Sequence, residues 1–588
     1  MAKAGDNSKP TPRKRLHYGD NLDIMGSMPS GIIDLTYLDP PFKSDLDYNL
    51  LFKEDGIAPD EAQMTVFKDT WTWDTGPRSA QSAYEKIQDL PNPHLVNLVN
   101  ALHAGMQRTP MMAYLVNMAI RLVEIRRLLK STGSVYLHCD PTASHYLKML
   151  MDAIFGPENF RSEIIWRRTG SHNKANRWAP IHDVILFYTK SGSYIWNRPR
   201  RPYMVGHVRA HFVPDGKGGY RTNYYGNVLT GSGTRNGESG LPWRGVDPTA
   251  KGRHWAVPGA IWDEVGVDPA GMSQHEKLDL LYSKGFIKII PGQAWPIYER
   301  TIQPGEGPAA PDIWAFQPYT EGTVHGSNDG IDEDVRWLNP QVSERLRYPT
   351  QKPVGLLKRI IEASSKPGDV VFDPFCGCGT TIAAAEELKR NWIGIDVSPY
   401  AIKLVRTQRL SSFKYLTEGT DYDVTGLPTT LAGAVMMWEQ DTKAFEIWCI
   451  GELDGIPNDK KGADKGIDGR IPFKPDGKKT QFAVVSVKGG KLKADDIRAL
   501  SMVAQREKAT SLGFGIFVSI NPPTADMRAD AAMVGSATFN GKKFPLIQCL
   551  TVQEILQGKR PNLPLIDAGV SYAHKKAKTV IGQQDSLI

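Results

Sequence analysis

Apolar and polar positions alternate in blocks from the first structured residues onward. The stretch RLHYGDNLDIM followed by GIIDLTYLDPPF predicts two short strands around a brief helix. IIDLTYL is a mostly apolar run that stops at Asp-Pro-Pro, as a buried parallel strand does where proline cannot continue the ladder. In AYLVNMAIRLVEIRRLLK (113–130) apolar residues recur at spacings of three and four with Arg and Lys opposite, which predicts an amphipathic helix. GSVYLHCD (133–140) predicts the next strand, and Pro141 then opens a helix that Gly156 closes. Strand alternating with helix specifies an α/β fold with a doubly wound sheet.

From 166 to 345 helical periodicity is lost, and Gly, Pro, Trp, Tyr and Arg dominate, as in WRRTGSHNKANRW and GKGGYRTNYYG. Alternation returns with TQKPVGLLKRIIEASS, GDVVFDPFCGCGTT and NWIGIDVSP, and again after residue 445. The pattern therefore divides the chain into seven parts. These are a basic flexible tail (1–15), a first α/β part (16–165), the irregular region (166–345), a second α/β part (346–412), a connector (413–444), a C-terminal α/β domain (445–567) and a polar tail (568–588). The length of 588 residues agrees with several domains.

Composition adds mostly exclusions. No run of eighteen apolar residues is present, so no membrane span is expected. The first residues are basic without an apolar core, unlike a secretory leader. Five cysteines in this length make no disulfide framework, and a reducing cytoplasm fits. Cys376 and Cys378 form a C-x-C pair with no second pair nearby, which is poor zinc spacing, so no metal is expected there. The formal net charge of +7 hints only weakly at a polyanionic partner.

Two motifs carry chemistry. Asp373-Pro374-Phe375-Cys376-Gly377-Cys378-Gly379-Thr380-Thr381 lies between the apolar VVF and IAAAEELKR. A glycine-rich turn from strand to helix lets a ligand approach the backbone closely, and Asp396, some 20 residues on, sits where an acid commonly takes ribose hydroxyls. Alone, the turn is equally an ordinary tight connection; with Asp396 it favours a nucleoside cofactor. The lack of G-x-x-x-x-G-K-[ST] disfavours a nucleotide triphosphatase. The second motif is Asp39-Pro40-Pro41-Phe42. The exocyclic amine of adenine or cytosine is a poor nucleophile because its lone pair is delocalised into the ring. A carboxylate and a fixed carbonyl, here Asp39 and Pro40, can each accept one amino hydrogen and pull nitrogen toward tetrahedral geometry. Two prolines stiffen the segment, and Phe42 offers a ring face to a base turned out of the stack.

Together these motifs resemble those of the DNA amino-methyltransferases. DPPF matches that family's catalytic element and DPF-x-G-x-GTT its S-adenosylmethionine element. Tyr348-Pro349-Thr350-Gln351-Lys352-Pro353 is similar to its H-P-T-Q-K-P element, with Tyr348 in place of histidine. The catalytic motif precedes the cofactor motif, as in the permuted β group. The resemblance covers about residues 16–410. It implies a doubly wound, Rossmann-like methyltransferase sheet, with 166–345 as an inserted target-recognition region. It implies methyl transfer from S-adenosylmethionine to N6 of adenine in double-stranded DNA, with N4 of cytosine as the alternative. Asp39, Pro40, Pro41 and Phe42 would be catalytic. Asp20, Asp373, Phe375, Gly377, Gly379, Thr380 and Asp396 would hold the cofactor. Arg167, Arg168, Lys174 and Arg177 would contact DNA, cations serving phosphates and guanine edges. A homodimer is implied by analogy. Cytosine-C5 transfer is disfavoured: it needs an attacking thiolate, which its family places after proline, and no cysteine here follows one.

In the C-terminal domain Asp468 precedes a strand, and QFAVVSVK brings up Lys488. This resembles the PD-(D/E)xK nuclease core in its Mrr-like branch, where carboxylates hold Mg²⁺. Only this domain would call for Mg²⁺. Ser486 stands where a second acidic residue is usual, and Glu452 is a candidate further ligand. The readings left open are a nuclease-like fold that binds DNA with little cleavage, and a fused restriction–modification protein that cuts.

Overall fold

The computed structural model describes residues 14–564 except 42–48, 52–62, 66–72, 74–78, 171–176, 215, 217–218, 260, 303–304, 319–321, 325–329, 340–341, 347, 349, 459–465, 474 and 476–479. The chain divides into two compact units, one of 1–197, 312–314 and 334–588, the other of 198–311 and 315–333.

The first unit is built on a nine-stranded sheet. Its strands are β1 (Lys14–Tyr18), β2 (Ile33–Leu38), β3 (Leu129–Cys139), β4 (Phe160–Arg167), β5 (His182–Thr189), β6 (Ile313–Trp314), β7 (Val370–Asp373), β8 (Asn391–Asp396) and β9 (Tyr422–Thr425), in the order β6-β4-β5-β3-β2-β7-β8-β1-β9. All neighbours are parallel except where β5 runs antiparallel to β3 and β4. β2 is buried along its whole length, which explains why its sequence reads as a run rather than an alternation. Helices cover both faces. One core gathers α1 (Asn21–Ser27), α2 (Pro110–Leu128) and α3 (Pro141–Phe155); the other gathers α4 (Val354–Ser364) and α5 (Thr380–Glu387).

Three sequence expectations shift. α2 is not amphipathic: Met111 to Leu122 are all buried, Asn117 and Arg121 included. Arg121 turns inward because partners await it there. The strand expected at 133–140 starts at Leu129. The stretch read as a connector holds β9, which pairs with β1 at the sheet edge, and α7 (Leu431–Gln440). The irregular stretch from 166 contains the end of β4 and all of β5 before the second unit begins at 198.

A second sheet of five strands closes the first unit: β10 (Ile456–Pro457), β11 (Gly469–Phe473), β12 (Gln481–Lys488), β13 (Gly515–Ser519) and β14 (Ile547–Thr551). α7 and α8 (Thr442–Glu452) pack on one face, and α9 (Ala494–Arg506) on the other. Lys403, on α6 (Pro399–Leu404) beside the first sheet, pairs with Asp454 at 2.7 Å and bonds the Gly451 carbonyl.

The other unit has its own tryptophan-rich core around Trp243, Trp255, Trp262, Leu278 and Tyr298. A four-stranded antiparallel sheet and a helix, Gln274–Ser283, capped by Ser273 and Glu276, frame it. Among the described residues no helix is long and apolar enough to cross a membrane.

Candidate functional site

Strands of a parallel sheet deliver their ends to one edge, and ligands of such folds bind outside the carboxyl ends. Asp39 follows β2, Asp373 ends β7 and Asp396 ends β8, so three acids meet at that edge. They line one cavity of about 320 Å³, together with Gly19, Asp20, Tyr37, Pro41, Lys352, Phe375, Gly377 and Thr380. Two motifs more than 300 residues apart in sequence are thereby brought to one wall-to-wall space.

The glycine turn needs its glycines. Gly377 and Gly379 have φ of 49° and 76°, a region costly for residues with a Cβ. A Cβ at Gly379 would lie 2.7 Å from Val405 Cγ2. The turn's backbone is pinned by its acids. The Gly377 N–H donates to Asp396 Oδ2 at 2.8 Å, and the Ser398 N–H to Oδ1 at 2.8 Å. The Phe375 N–H donates to Asp373 Oδ1 and the Thr381 hydroxyl to Oδ2, at 3.0 and 2.5 Å. Burial outweighs these bonds: it raises Asp373 to about 7 and Asp396 to about 6. Thr380 begins α5, and its hydroxyl accepts from Arg409 at 3.3 Å.

Asp20 caps α1, accepting from the Leu22 N–H at 2.8 Å, and pairs with Arg121 at 3.2 Å. Arg121 also donates to Asn21 Oδ1 at 2.7 Å, and Asn21 Nδ2 donates to the Pro374 carbonyl at 2.8 Å. One buried guanidinium thus ties the α1 end of the cavity to the glycine turn. Nothing in the sequence distinguished Arg121 from the other arginines of its helix.

Asp39 is held differently. Lys352 Nζ donates to Asp39 Oδ2 at 2.5 Å, whereas Oδ1 is buried with no hydrogen-bond partner among the described residues. A buried, unsatisfied carboxylate oxygen is costly, and here it belongs to a residue lining the cavity. Lys352 belongs to the T-Q-K-P element, in which Gln351 fastens the loop through Leu346 and Glu344. Tyr348, standing for histidine, is buried; its ring lies 3.2 Å from where a Cβ on Gly377 would be. Phe42 and Lys174 lie outside the described residues.

The remaining basic candidates are spread out. Arg167 lies over the Trp337 ring at 5.1 Å, Arg168 pairs with Asp183 at 3.0 Å, and Arg177 is exposed beside the 98 % exposed Trp178. Trp166 is buried, donating to the Val335 carbonyl at 2.8 Å.

In the second sheet Asp468 sits opposite Ser486, one residue before the Gly469–Val485 pair. Its Oδ2 accepts from the Val487 N–H at 2.7 Å and from Ser486 Oγ at 3.4 Å. Burial raises both Asp468 and Glu446, and Asp468 pushes Glu446 further up. Asp468 thus acts on Glu446, on α8. Among the described residues no three His, Cys, Asp or Glu side chains gather into a metal-holding group. With one Asp468 oxygen already bonded to backbone and Ser486 uncharged, these residues do not fit a Mg²⁺ site.

At the carboxyl edge of the sheet an unsatisfied carboxylate thus faces a glycine turn across one cavity. Residues 33–407 match the DNA methylase model of the N6 and N4 methyltransferases, and the chain belongs to that family. It is 34% identical over 295 residues to the Type II methyltransferase M.EcaI of Enterobacter cloacae, covering 50% of this chain and 56% of that protein. It is 47% identical over 88 residues to the DNA adenine methyltransferase YhdJ of Escherichia coli K12, covering 15% of this chain and 29% of that protein. The matches thus span little more than half of these curated relatives, or less. The solved structure of the PvuII DNA methyltransferase (cytosine-N4-specific) aligns at 11% identity with a TM-score of 0.31, over 69% of this chain and 88% of that one.

Proposed function

We propose that this chain transfers a methyl group from S-adenosylmethionine to N6 of adenine in double-stranded DNA, as a permuted, β-group enzyme. The observation that carries the reading is Asp39 Oδ1, buried and unpartnered at a cavity shared with the glycine turn and Asp396. S-adenosylmethionine, when bound, supplies an activated methyl group. Asp396 takes its ribose hydroxyls, and Gly377 and Gly379 let it approach the backbone. Asp39 Oδ1 accepts one hydrogen of the target amine and the Pro40 carbonyl the other. Lys352 fixes the second Asp39 oxygen, so the acceptor is oriented before the base arrives.

Adenine is favoured over cytosine by the Asp that opens DPPF and by the adenine methyltransferase named among the relatives. The region after β5 serves as the inserted recognition region. Mass spectrometry of digested product DNA tests the assignment. N6-methyladenine is expected; N4-methylcytosine alone would reverse the base, and neither would overturn the reading.

A second reading concerns the five-stranded domain. Asp468 and Lys488 support a nuclease-like reading and Ser486 weighs against a metal site, so it is read as a nuclease-like domain that binds DNA and cleaves weakly or not at all. Incubation with unmethylated DNA and Mg²⁺ or Mn²⁺, beside an Asp468→Ala control, decides this. Robust cutting lost in the control would make the chain a fused restriction–modification enzyme.

A further inference from the structure

Three adjacent strands of the nine-stranded sheet each contribute one polar side chain to a hydrogen-bonded chain that starts at the cavity, and a fourth residue, just after the next strand, extends it. The Tyr37 hydroxyl, on β2, lies 2.8 Å from His138 Nδ1, on β3. His138 Nε2 lies 3.1 Å from Asp183 Oδ2, on β5, and Asp183 pairs with Arg168, just after β4, at 3.0 Å. Tyr37, His138 and Asp183 are buried to within 2 % of full exclusion. Tyr37 lines the cavity and stands two residues before Asp39. Side chains two apart leave the same face of a strand. Nothing assigned so far uses this chain.

We propose that Tyr37, His138 and Asp183 form a relay that removes the proton released when the target amine is methylated. The inference rests on the amine-methylation reading above. As the new C–N bond forms from the nitrogen lone pair, the donor's C–S bond breaks and its pair stays on sulfur. Nitrogen is left positive, with one proton to lose. Asp183 is a carboxylate and accepts from His138 Nε2–H, so Nδ1 is left as the acceptor and Tyr37 donates to it. The Tyr37 oxygen then has lone pairs free of that bond. It takes the proton from nitrogen while its own passes to Nδ1. The charges balance as a neutral methylamine, a neutral phenol and an imidazolium facing the Asp183 carboxylate.

Geometry favours this exit over Asp39. Asp39 Oδ2 already accepts from the Lys352 ammonium, whereas Tyr37 has an onward partner in His138 Nδ1 at 2.8 Å. Imidazole is also ordinarily a stronger base than a carboxylate. Asp183 is kept ionised: burial pulls it up, but His138, Lys352 and Arg168 more than offset that and hold it low. Asp39, Asp373 and Asp183 all act on Tyr37, and burial and these charges hold its phenol well above the ordinary range, so it serves as a conduit and not as a phenolate.

The test is single-turnover methylation of unmethylated plasmid DNA with saturating tritiated S-adenosylmethionine, run in H₂O and in D₂O. In the wild type transfer is slower in D₂O, because the hydroxyl and imidazole protons of the relay move. Tyr37→Phe keeps the ring packing and removes the hydroxyl. It should slow transfer by about 10²-fold, the lower end for a proton-transfer group, and abolish the solvent isotope effect with cofactor affinity unchanged. His138→Gln, which can bond but not take the proton, should behave alike. A Tyr37→Phe enzyme with the wild-type rate overturns the relay, as does a slowed one that keeps the isotope effect or has lost cofactor affinity in proportion. Absence of methylation by the wild type would instead overturn the proposed function, and the relay with it.

Discussion

The molecule holds two aspartate–lysine sites at sheet edges, and they differ in one respect. Asp39 has one oxygen on Lys352 and the other buried without a described partner. Asp468, with Lys488 near it, has an oxygen bonded to the Val487 N–H of the neighbouring strand. A buried acceptor normally finds a partner. Where one is left open beside a cavity, the missing partner is best sought in a ligand; where the neighbouring strand supplies a donor, as for Asp468 Oδ2, that oxygen is committed to the sheet. The difference separates a poised site from a satisfied one, although both share the same residue types.

The sharpest way to break this comparison is to remove both carboxylates in turn. Asp39→Ala should cost at least ~10²-fold in methyl transfer, the scale of losing one preorganised polar group, with cofactor binding retained by calorimetry. Asp468→Ala should leave methyl transfer within twofold or so of wild type, since its bonds stay within the second sheet. Equal losses in both would erase the distinction.

Arg121 tests how far the poised site depends on buried support. Arg121→Met leaves Asp20 and Asn21 without their guanidinium. Breaking a buried pair costs about 3 kcal/mol or more, and Asp20, 15% exposed in its side chain, places this at the lower end. Thermal unfolding should shift down accordingly, and cofactor affinity should fall with it. A variant with unchanged melting would remove Arg121 from the frame of the cavity.

Legibility in the sequence follows the same division. That the glycine turn and the acids Asp39 and Asp396 sit at strand ends could be read because the signals are local: the turn's φ values demand glycine, and each acid closes an apolar run. Arg121, His138 and Asp183 could not, nor could the pairing of Lys352 with Asp39, since each acts through a partner distant in sequence. Arg121 looked like the polar side of an amphipathic helix. His138 and Asp183 sit in apolar strands, 45 residues apart, and meet only because β3 and β5 are neighbours. Strand order, which no local pattern encodes, decided these contacts. In the tryptophan-rich unit, aromatics that could stack on bases mostly form a core instead.

Asp396 offers a pH test of milder size. Its folded value of about 6 exceeds the ordinary ~3.9, so between these pH values the folded state keeps a proton that the unfolded state has lost. Its contribution to stability is therefore present at low pH and lost as pH rises through about 6. Ribose hydroxyls donate to the charged form, so cofactor binding should tighten over the same interval and level off above it. Asp396→Asn should lose that dependence and about tenfold in affinity, the worth of a hydrogen bond to a charged group. Calorimetry between pH 5 and 8 would show it, and a flat wild-type profile would remove Asp396 from the cofactor's partners.

The smallest expected effect runs in the opposite direction, toward making the satisfied site poised. Ser486 stands opposite Asp468, and its hydroxyl makes only a long 3.4 Å contact. Ser486→Asp would place a second carboxylate beside the first. In the absence of metal two buried like charges repel, so the variant should melt below the wild type. A hard cation would now find carboxylate oxygens from neighbouring positions of two paired strands. With a dissociation constant near ~1 mM, ~5 mM Mg²⁺ would return about 1 kcal/mol by mass action. The wild type, with Asp468 engaged by backbone, should show no Mg²⁺-dependent shift in melting. If the wild type is itself stabilised by Mg²⁺, Asp468 is not spent on the sheet, and the contrast between the two aspartates fails at this end.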